Sequence, residues 1–398
     1  MTDHNSDRKV RFAKRTEIPA NAIIVLEDRV HEMLAKGEDV IMFHAGDLGW
    51  DTPQFIKDAA YESLNRGYTH YGPSLGYREF KAALARKLAE RNLLYANPST
   101  EIIVTQSATY GIYISILALL DPGDEMLLLD PYYPTYEICV KMAGGVPVCV
   151  PTHEATEWKP SPDEIDSRIT PKTKGIIVNS PNNPTGEVFG RPELESIAET
   201  AEKHDLFVIS DEAYEAVTFD GLKHQSIASL PGMKERTATV FSFSKTYAMT
   251  GWRLGYVVGP EAFVKRADVM HETVLAHVSS HIQMAGLAAL NGPQDFGSEM
   301  VRELDARRRF LVEGLNRVRG ISCKMPKGAF YCFPSVKASG MSSQEFSEHL
   351  LLNGNVCVTP GAAFGKCGEG HVRIAYSRTT MQEISKGLER MSTVFGKK

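Results

Sequence analysis

Residues 174–186 read KGIIVNSPNNPTG, and residues 206–214 read LFVISDEAY. Each is a short, nearly unbroken apolar run that ends in a polar turn. A strand with one wet face alternates polar and apolar residues, whereas a strand covered on both faces does not. Both runs therefore read as inner strands of a parallel sheet, and 191–204 between them reads as a helix. Working outward, strand-like runs recur at 102–105, 125–129, 146–150, 239–243 and 254–258, with a helix over 107–120 and a Asp121-Pro122-Gly123-Asp124 turn. This alternation predicts an α/β fold, a largely parallel sheet covered by helices, over roughly 55–295.

The flanks differ. Ile23, Ile24, Leu26, Val30, Met33 and Leu34 recur at helical spacing, and 39–43 reads as a short strand. After a charged helix at 294–319 come strand-like pieces at 329–333, 356–359 and 371–375 and a last helix near 381–395. These predict a smaller α+β unit. Residues 1–20 read as a loose arm ended by Pro19.

Composition narrows the function. The chain has 398 residues, 43% hydrophobic and 23% charged, which suits a soluble globular protein of two or three domains. Forty-four Lys+Arg against 49 Asp+Glu give a net charge of -5 and no basic stripe for nucleic acid. The longest dense apolar run, 111–120, is far short of the roughly 20 residues of a membrane span. The polar N-terminus lacks the apolar core of a signal peptide, so a cytoplasmic location is expected. The six cysteines show no metal-type spacing and read as reduced thiols.

Several motifs fail. No G-x-G-x-x-G follows a strand, and GAAFGKC (361–367) is one residue short of a P-loop. In HETVLAH (271–277) the second histidine falls at +6 rather than the +4 that puts two imidazoles on one helix face. His277 and His281 do have i,i+4 spacing, but without a third ligand they read as ordinary hydrogen-bonded histidines.

Four segments carry chemistry together: NSPNNPTG (179–186), SDEAY (210–214), SFSKTYAMTGWRLGY (242–256) and HVRIAYS (371–377). In this order and at these separations they resemble the class I/II aminotransferases, fold-type-I enzymes that use pyridoxal 5'-phosphate, closest to the prokaryotic-type aspartate and aromatic branch. The resemblance runs from about Ile23 to the C-terminal helix. It implies a large cofactor domain over 55–295 with a mostly parallel seven-stranded sheet. It also implies a small domain built from both chain ends, 21–54 and 296–398.

The resemblance assigns roles that the chemistry of each residue supports. Lys245 matches the lysine that condenses with the cofactor aldehyde and later moves a proton. Arg253, whose guanidinium presents a planar fork, and Ser242 match the phosphate ligands; Ser244 is either a helper or a turn residue. Ser107, Ala108 and Thr109 open the helix after strand 102–105, where free amides and the dipole attract an anion. Asp211 matches the partner of the pyridine nitrogen, with Glu212 pointing the other way. Tyr214 and Asn183 match the pair that faces the phenolic oxygen, and the Asn183–Pro184 bond is expected to be cis. Tyr133, with Tyr132 as the competing choice, matches the aromatic stacked on the ring. Arg373 matches the ligand of the substrate α-carboxylate, with Gly46 and Asn183 nearby. Tyr71 matches the tyrosine that crosses a homodimer interface to the partner's cofactor phosphate.

The chain departs from the usual G-E-P at Gly46-Asp47-Leu48-Gly49-Trp50, and His44 stands where a small residue is common. His44, Trp50, His277 and His281 are therefore candidates for specificity, with His44 expected to touch substrate. No Lys or Arg is assignable to a second carboxylate. The expected reaction is ping-pong transfer from an L-amino acid, aromatic or neutral, to a 2-oxo acid; a cationic donor near Asp47 is the weaker fit. A lyase, decarboxylase or oxidase on the same scaffold is the alternative. A regulator with an added DNA-binding domain is disfavoured by the short segment before the first helix.

Overall fold

The computed structural model describes residues 12–18 and 22–398; the arm expected over 1–20, with Pro19, lies largely outside the described residues. Helices α1 (Ala22–Ala35), α2 (Gln54–Asn65) and α3 (Arg78–Lys87) precede α4 (Ala108–Leu119), α5 (Thr135–Met142), α6 (Pro162–Asp166) and α7 (Arg191–Lys203). Then follow α8 (Glu261–Leu275), α9 (Ser280–Asn291), α10 (Asp295–Leu315), α11 (Ser343–Gly354) and α12 (Met381–Phe395). The strands are β1 (Ile41–Met42), β2 (Ile102–Thr105), β3 (Glu125–Asp130), β4 (Val146–Pro151), β5 (Thr173–Asn179) and β6 (Phe207–Asp211). They continue with β7 (Thr237–Ser242), β8 (Gly255–Val258), β9 (Tyr331–Cys332), β10 (Val356–Cys357), β11 (Thr359–Pro360) and β12 (Val372–Ala375).

A seven-stranded sheet runs in the order β2-β8-β7-β6-β5-β3-β4. The side chains of β5 and β6 alternate between two apolar layers, as strand geometry requires. Ile177 and Ile209 pack with Ile112 and Ile116 of α4 on one face. Ile176, Val178 and Val208 pack with Leu194, Ile197 and Ala201 of α7 on the other. Each such side chain taken out of water contributes about 1.5–3 kcal/mol, so the unbroken apolar runs are the imprint of cover on both faces. All adjacent pairs from β4 to β7 are parallel, but β8 is antiparallel to both β2 and β7. The reason is local: the 243–254 connection holds only a 3-10 turn, Thr250–Trp252, and folds straight back. A parallel return usually runs through a crossover helix, which this twelve-residue connection lacks.

The remaining strands unite distant parts of the chain. β1 pairs in parallel with β10, Ile41 beside Val356, and β11-β12-β9 form an antiparallel sheet. Ile41, Phe43 and Leu48 share a core with Leu304 and Leu311 of α10 and Ile384 and Met391 of α12. The expected strands 39–43 and 329–333 shrink to two residues each, because only Ile41–Met42 and Tyr331–Cys332 find ladder partners. A capping box starts α12: Thr380 Oγ1 accepts from the Glu383 N–H at 3.2 Å, and Glu383 Oε2 accepts from the Thr380 N–H at 2.7 Å. Asn183–Pro184, Ser180–Pro181 and Asp130–Pro131 are cis.

Candidate active site

Strands β5, β6 and β7 end side by side at Asn179, Asp211 and Ser242. In open α/β sheets the crevice beyond the carboxyl ends of the strands is where ligands bind. Here that crevice is a cavity of about 490 Å³. It brings together Lys245, Asp211, Tyr214, Ser107, Ala108, Thr109, Tyr133, Asn183, Ser242, Arg253, Gly46 and Arg373, residues drawn from both halves of the chain. A larger hollow of about 700 Å³ around Lys87, Glu215 and His224 shares only Ser242 with it.

One wall is built for an anion. Ser107 caps α4, accepting from the Tyr110 N–H at 3.4 Å, and leaves the first amides of that helix open to the cavity. Its backbone sits at φ +84°, and Arg253 opposite sits at φ +56°. Such non-glycine conformations cost of order 1–3 kcal/mol and persist where the surroundings force them. The forcing group is visible: a Cβ on Gly255 would lie 2.7 Å from the Ala108 nitrogen, so β8 presses directly against the turn. Ser242 Oγ accepts from the Ser244 N–H at 3.1 Å, which leaves its own O–H to donate. Arg253 donates once, to the Thr250 carbonyl at 2.9 Å.

The floor is Asp211, buried, its carboxyl pushed up to about 6 by burial against the opposing help of Tyr136 and the Ala213 N–H. Tyr136 Oη donates to Oδ2 at 2.6 Å, the Ala213 N–H to Oδ1 at 3.1 Å, and Asn179 Nδ2 to the Asp211 carbonyl at 3.0 Å. Glu212 faces away, accepting from Ser210, Ser226 and His224 at 2.6–2.9 Å. Tyr214 Oη lies 2.7 Å from Tyr331 Oη. Tyr133 lines the cavity, whereas Tyr132 is not among its lining residues and donates to Glu137 at 2.8 Å.

Lys245 donates to the Gly46 carbonyl at 2.7 Å. Burial lowers its ammonium to about 8, against the pull of Asp47 and with help from Arg253 and Arg373. A Cβ on Gly46 would sit 2.5 Å from Tyr331 Oη, so only glycine fits there. Arg373 is 1% exposed, yet no carboxylate among the described residues pairs with it. Nη1 donates to Asn183 Oδ1 at 3.0 Å, Nη2 to the His44 carbonyl at 2.7 Å, and Nε has no partner. A buried cation without a counter-charge is costly, and its natural complement is an incoming carboxylate.

Other expected residues lie elsewhere. The His44 ring turns away from the cavity to Glu27, at 2.8 Å. Tyr71 is 89% exposed and outside this cavity, edge-on to His277. Trp50 lies under the Arg307 guanidinium, and His277 Nδ1 meets the Val278 carbonyl at 2.7 Å. No metal-type group of three ligands occurs among the described residues. Sequence reading missed Tyr136, Tyr331, Ile23, Ile24 and Ile112 as cavity residues. Tyr136, in the first turn of α5, is brought beside Tyr133 by the turn its N–H closes onto the Tyr133 carbonyl at 3.0 Å.

A family model described as aminotransferase class I and II matches residues 38–391. An aspartate aminotransferase of Pyrococcus abyssi is 43% identical over 93% of this chain and 95% of its own length. An aromatic-amino-acid aminotransferase of Thermococcus litoralis is 42% identical over 92% and 94%. The solved aspartate aminotransferase from Thermus thermophilus with maleate superposes with a TM-score of 0.92 at 34% identity, covering 97% of this chain and all of that one. The chain belongs to the class I and II aminotransferases, enzymes that move an amino group by means of pyridoxal phosphate.

Proposed function

We propose that the amino donor carries an aromatic or other apolar side chain, and that the cavity residues hold the cofactor as follows. The α4 amides at 107–109, Ser242 and Arg253 would take the phosphate. Asp211 would face the ring nitrogen, Tyr214 and Asn183 the phenolic oxygen, and Tyr133 a ring face. The fit rests on the donor set: an open helix N-terminus, a buried carboxylate with no cation against it among the described residues, and a part-buried lysine. When bound, pyridoxal phosphate supplies an electron-withdrawing ring and a carrier for the amino group.

The chain's own residues do the rest. Arg373 binds the donor's carboxylate through its planar fork, with Asn183 and the His44 carbonyl holding the fork in place. Lys245, with its ammonium near 8, gives and takes a proton at the α-carbon once its amine is free. The Tyr214–Tyr331 bond fixes the phenol beside it. Residues 21–54 and 296–398 act as a small domain that brings Arg373 to the 55–295 domain.

The observation that carries the donor assignment is the lining. Its cations are Lys245, Arg253 and Arg373, which this reading commits to proton transfer, the cofactor phosphate and the donor's α-carboxylate, while Ile23, Ile24 and Ile112 supply apolar walls. A second carboxylate placed there without a partner loses several kcal/mol of hydration. A phenyl ring gains about 1.5–3 kcal/mol by burial. The relatives' names divide between aspartate and aromatic donors, so a panel decides. With a 2-oxo acid acceptor, phenylalanine should exceed aspartate in kcat/KM by at least tenfold; equal or reversed values would defeat the assignment.

The enzyme also acts as a homodimer in which Tyr71 reaches the partner's phosphate site. The exposure of Tyr71, Val269 and Val274 supports this, and a monomeric mass by light scattering would refute it. No helix among the described residues is long and apolar enough to cross a membrane; a cytoplasmic setting fits the six free cysteines, and fractionation of native cells tests it.

A further inference from the structure

His44 is fully buried, and its two ends serve different neighbours. Its carbonyl accepts from Arg373 Nη2 at 2.7 Å. Its ring nitrogen Nε2 lies 2.8 Å from Glu27 Oε2. Glu27 belongs to α1, three and four positions after Ile24 and Ile23, so these residues share one side of the helix. Ile23 and Ile24 line the substrate cavity. Farther along α1, Val30, Leu26 and Met33 pack on Val40, Leu351 and Cys357. The helix is thus held by apolar packing in its later turns, and near its cavity end by Ile23 against the Trp158, Phe333 and Phe364 cluster together with the His44–Glu27 bond. That bond is charge-assisted and shielded on the histidine side, where such bonds are strongest.

We propose that His44 is a positioning residue for donor specificity. It ties the α1 wall of the side-chain pocket to the backbone segment that orients Arg373, without touching substrate itself. Loss of the tie leaves carboxylate binding and cofactor binding in place but lets the Ile23–Ile24 wall move. The penalty therefore falls on donors whose side chains reach that wall. The inference rests on the reading above that Ile23 and Ile24 meet the donor side chain.

The test uses cofactor-loaded enzyme with two donors, phenylalanine and alanine, and one 2-oxo acid acceptor. His44→Ala and Glu27→Ala should each raise KM for phenylalanine about tenfold, within what a charged hydrogen bond can supply. In Glu27→Ala, KM for alanine and both kcat values should stay within about twofold, and cofactor affinity should not change. The double variant should be no worse than Glu27→Ala, which removes the shared bond and also the exposed 3.6 Å contact of Glu27 Oε1 with His31. His44→Gln, which keeps a side-chain donor, should recover most of the loss. Hydrogen exchange of the 22–29 amides, measured without donor, should quicken in both alanine variants.

Equal KM increases for the two donors, additive effects in the double variant, or unchanged exchange in Glu27→Ala would each overturn the proposal. Glu27 is partly exposed, so its variants remain informative if His44→Ala does not fold. A wild-type enzyme that fails to favour phenylalanine over alanine would instead defeat the donor reading, while the exchange measurement still judges the tie.

Discussion

Replacing Asp211 by Asn should make the cofactor-free protein more stable while weakening its hold on the cofactor. Burial pushes the Asp211 carboxyl up to about 6. Its ordinary value is about 3.9, so ionising it in the folded chain at pH 7.5 costs roughly 3 kcal/mol at 1.36 kcal/mol per pH unit. Asparagine removes that charge but can accept only one of the two bonds now given by Tyr136 and the Ala213 N–H. The lost bond returns about 1 kcal/mol, leaving a gain of about 2 kcal/mol. With an unfolding entropy of about 2.1 cal/mol/K per residue, this raises Tm by about 2–3 °C.

The sign follows from linkage. An acid whose folded value is raised loses stability as pH climbs from its unfolded to its folded value. The advantage of the variant must therefore appear between about pH 4 and pH 6, persist above, and vanish below pH 4. Calorimetry of the cofactor-free wild type and variant at pH 7.5 and 4 tests this. In the same assay, added cofactor should protect the variant far less, because a charge-assisted bond of about 1.5–3 kcal/mol is lost. A variant no more stable than wild type at pH 7.5, or a difference that ignores pH, would refute the reasoning.

Two further outcomes are expected. Arg373→Lys keeps the charge but not the fork that Asn183 and the His44 carbonyl steady, so KM for the donor should rise about 100-fold, the worth of about 3 kcal/mol; cofactor binding should not change, and an altered cofactor affinity would argue against the assignment. Capture of the cofactor aldehyde by cofactor-free enzyme needs the neutral Lys245 amine, which burial makes available above about pH 8; stopped-flow rates should climb tenfold per pH unit below 8 and level off above 9, and a climb continuing past pH 10 would place the lysine in an unshielded setting.

Local signals proved legible and long-range ones did not. The strand expected at 102–105 is β2, Ile102–Thr105, and the helix expected at 381–395 is α12, Met381–Phe395, because apolar periodicity is written within each segment. The cavity residues were legible through whole motifs. The partners that hold them were not: Tyr136 bonds Asp211 from 75 residues away, and Tyr214 meets Tyr331 across 117. Nothing in either local string announces those pairings. The reversal of β8 was hidden for another reason, since an apolar run carries no mark of direction. His44 shows the limit most sharply. Its standing where the resembled family commonly has a small residue suggested a substrate contact, but a side chain's direction depends on what stands behind it, and Glu27 stands there.

The pairing of Ile41 with Val356 has a consequence for the birth of the protein. The seven-stranded sheet uses only residues from 102 to 258 and can assemble while synthesis continues. β1, and with it the placing of His44 and Gly46, must wait until a partner strand roughly 300 residues later leaves the ribosome, on the order of 15–60 s at 5–20 residues per second. Throughout that interval Phe43 and Leu48 lack the α10 and α12 side chains that complete their core. A nascent chain therefore shows this apolar segment until β10 emerges, a ready target for chaperones, and gains its carboxylate grip only once Arg373 has been made.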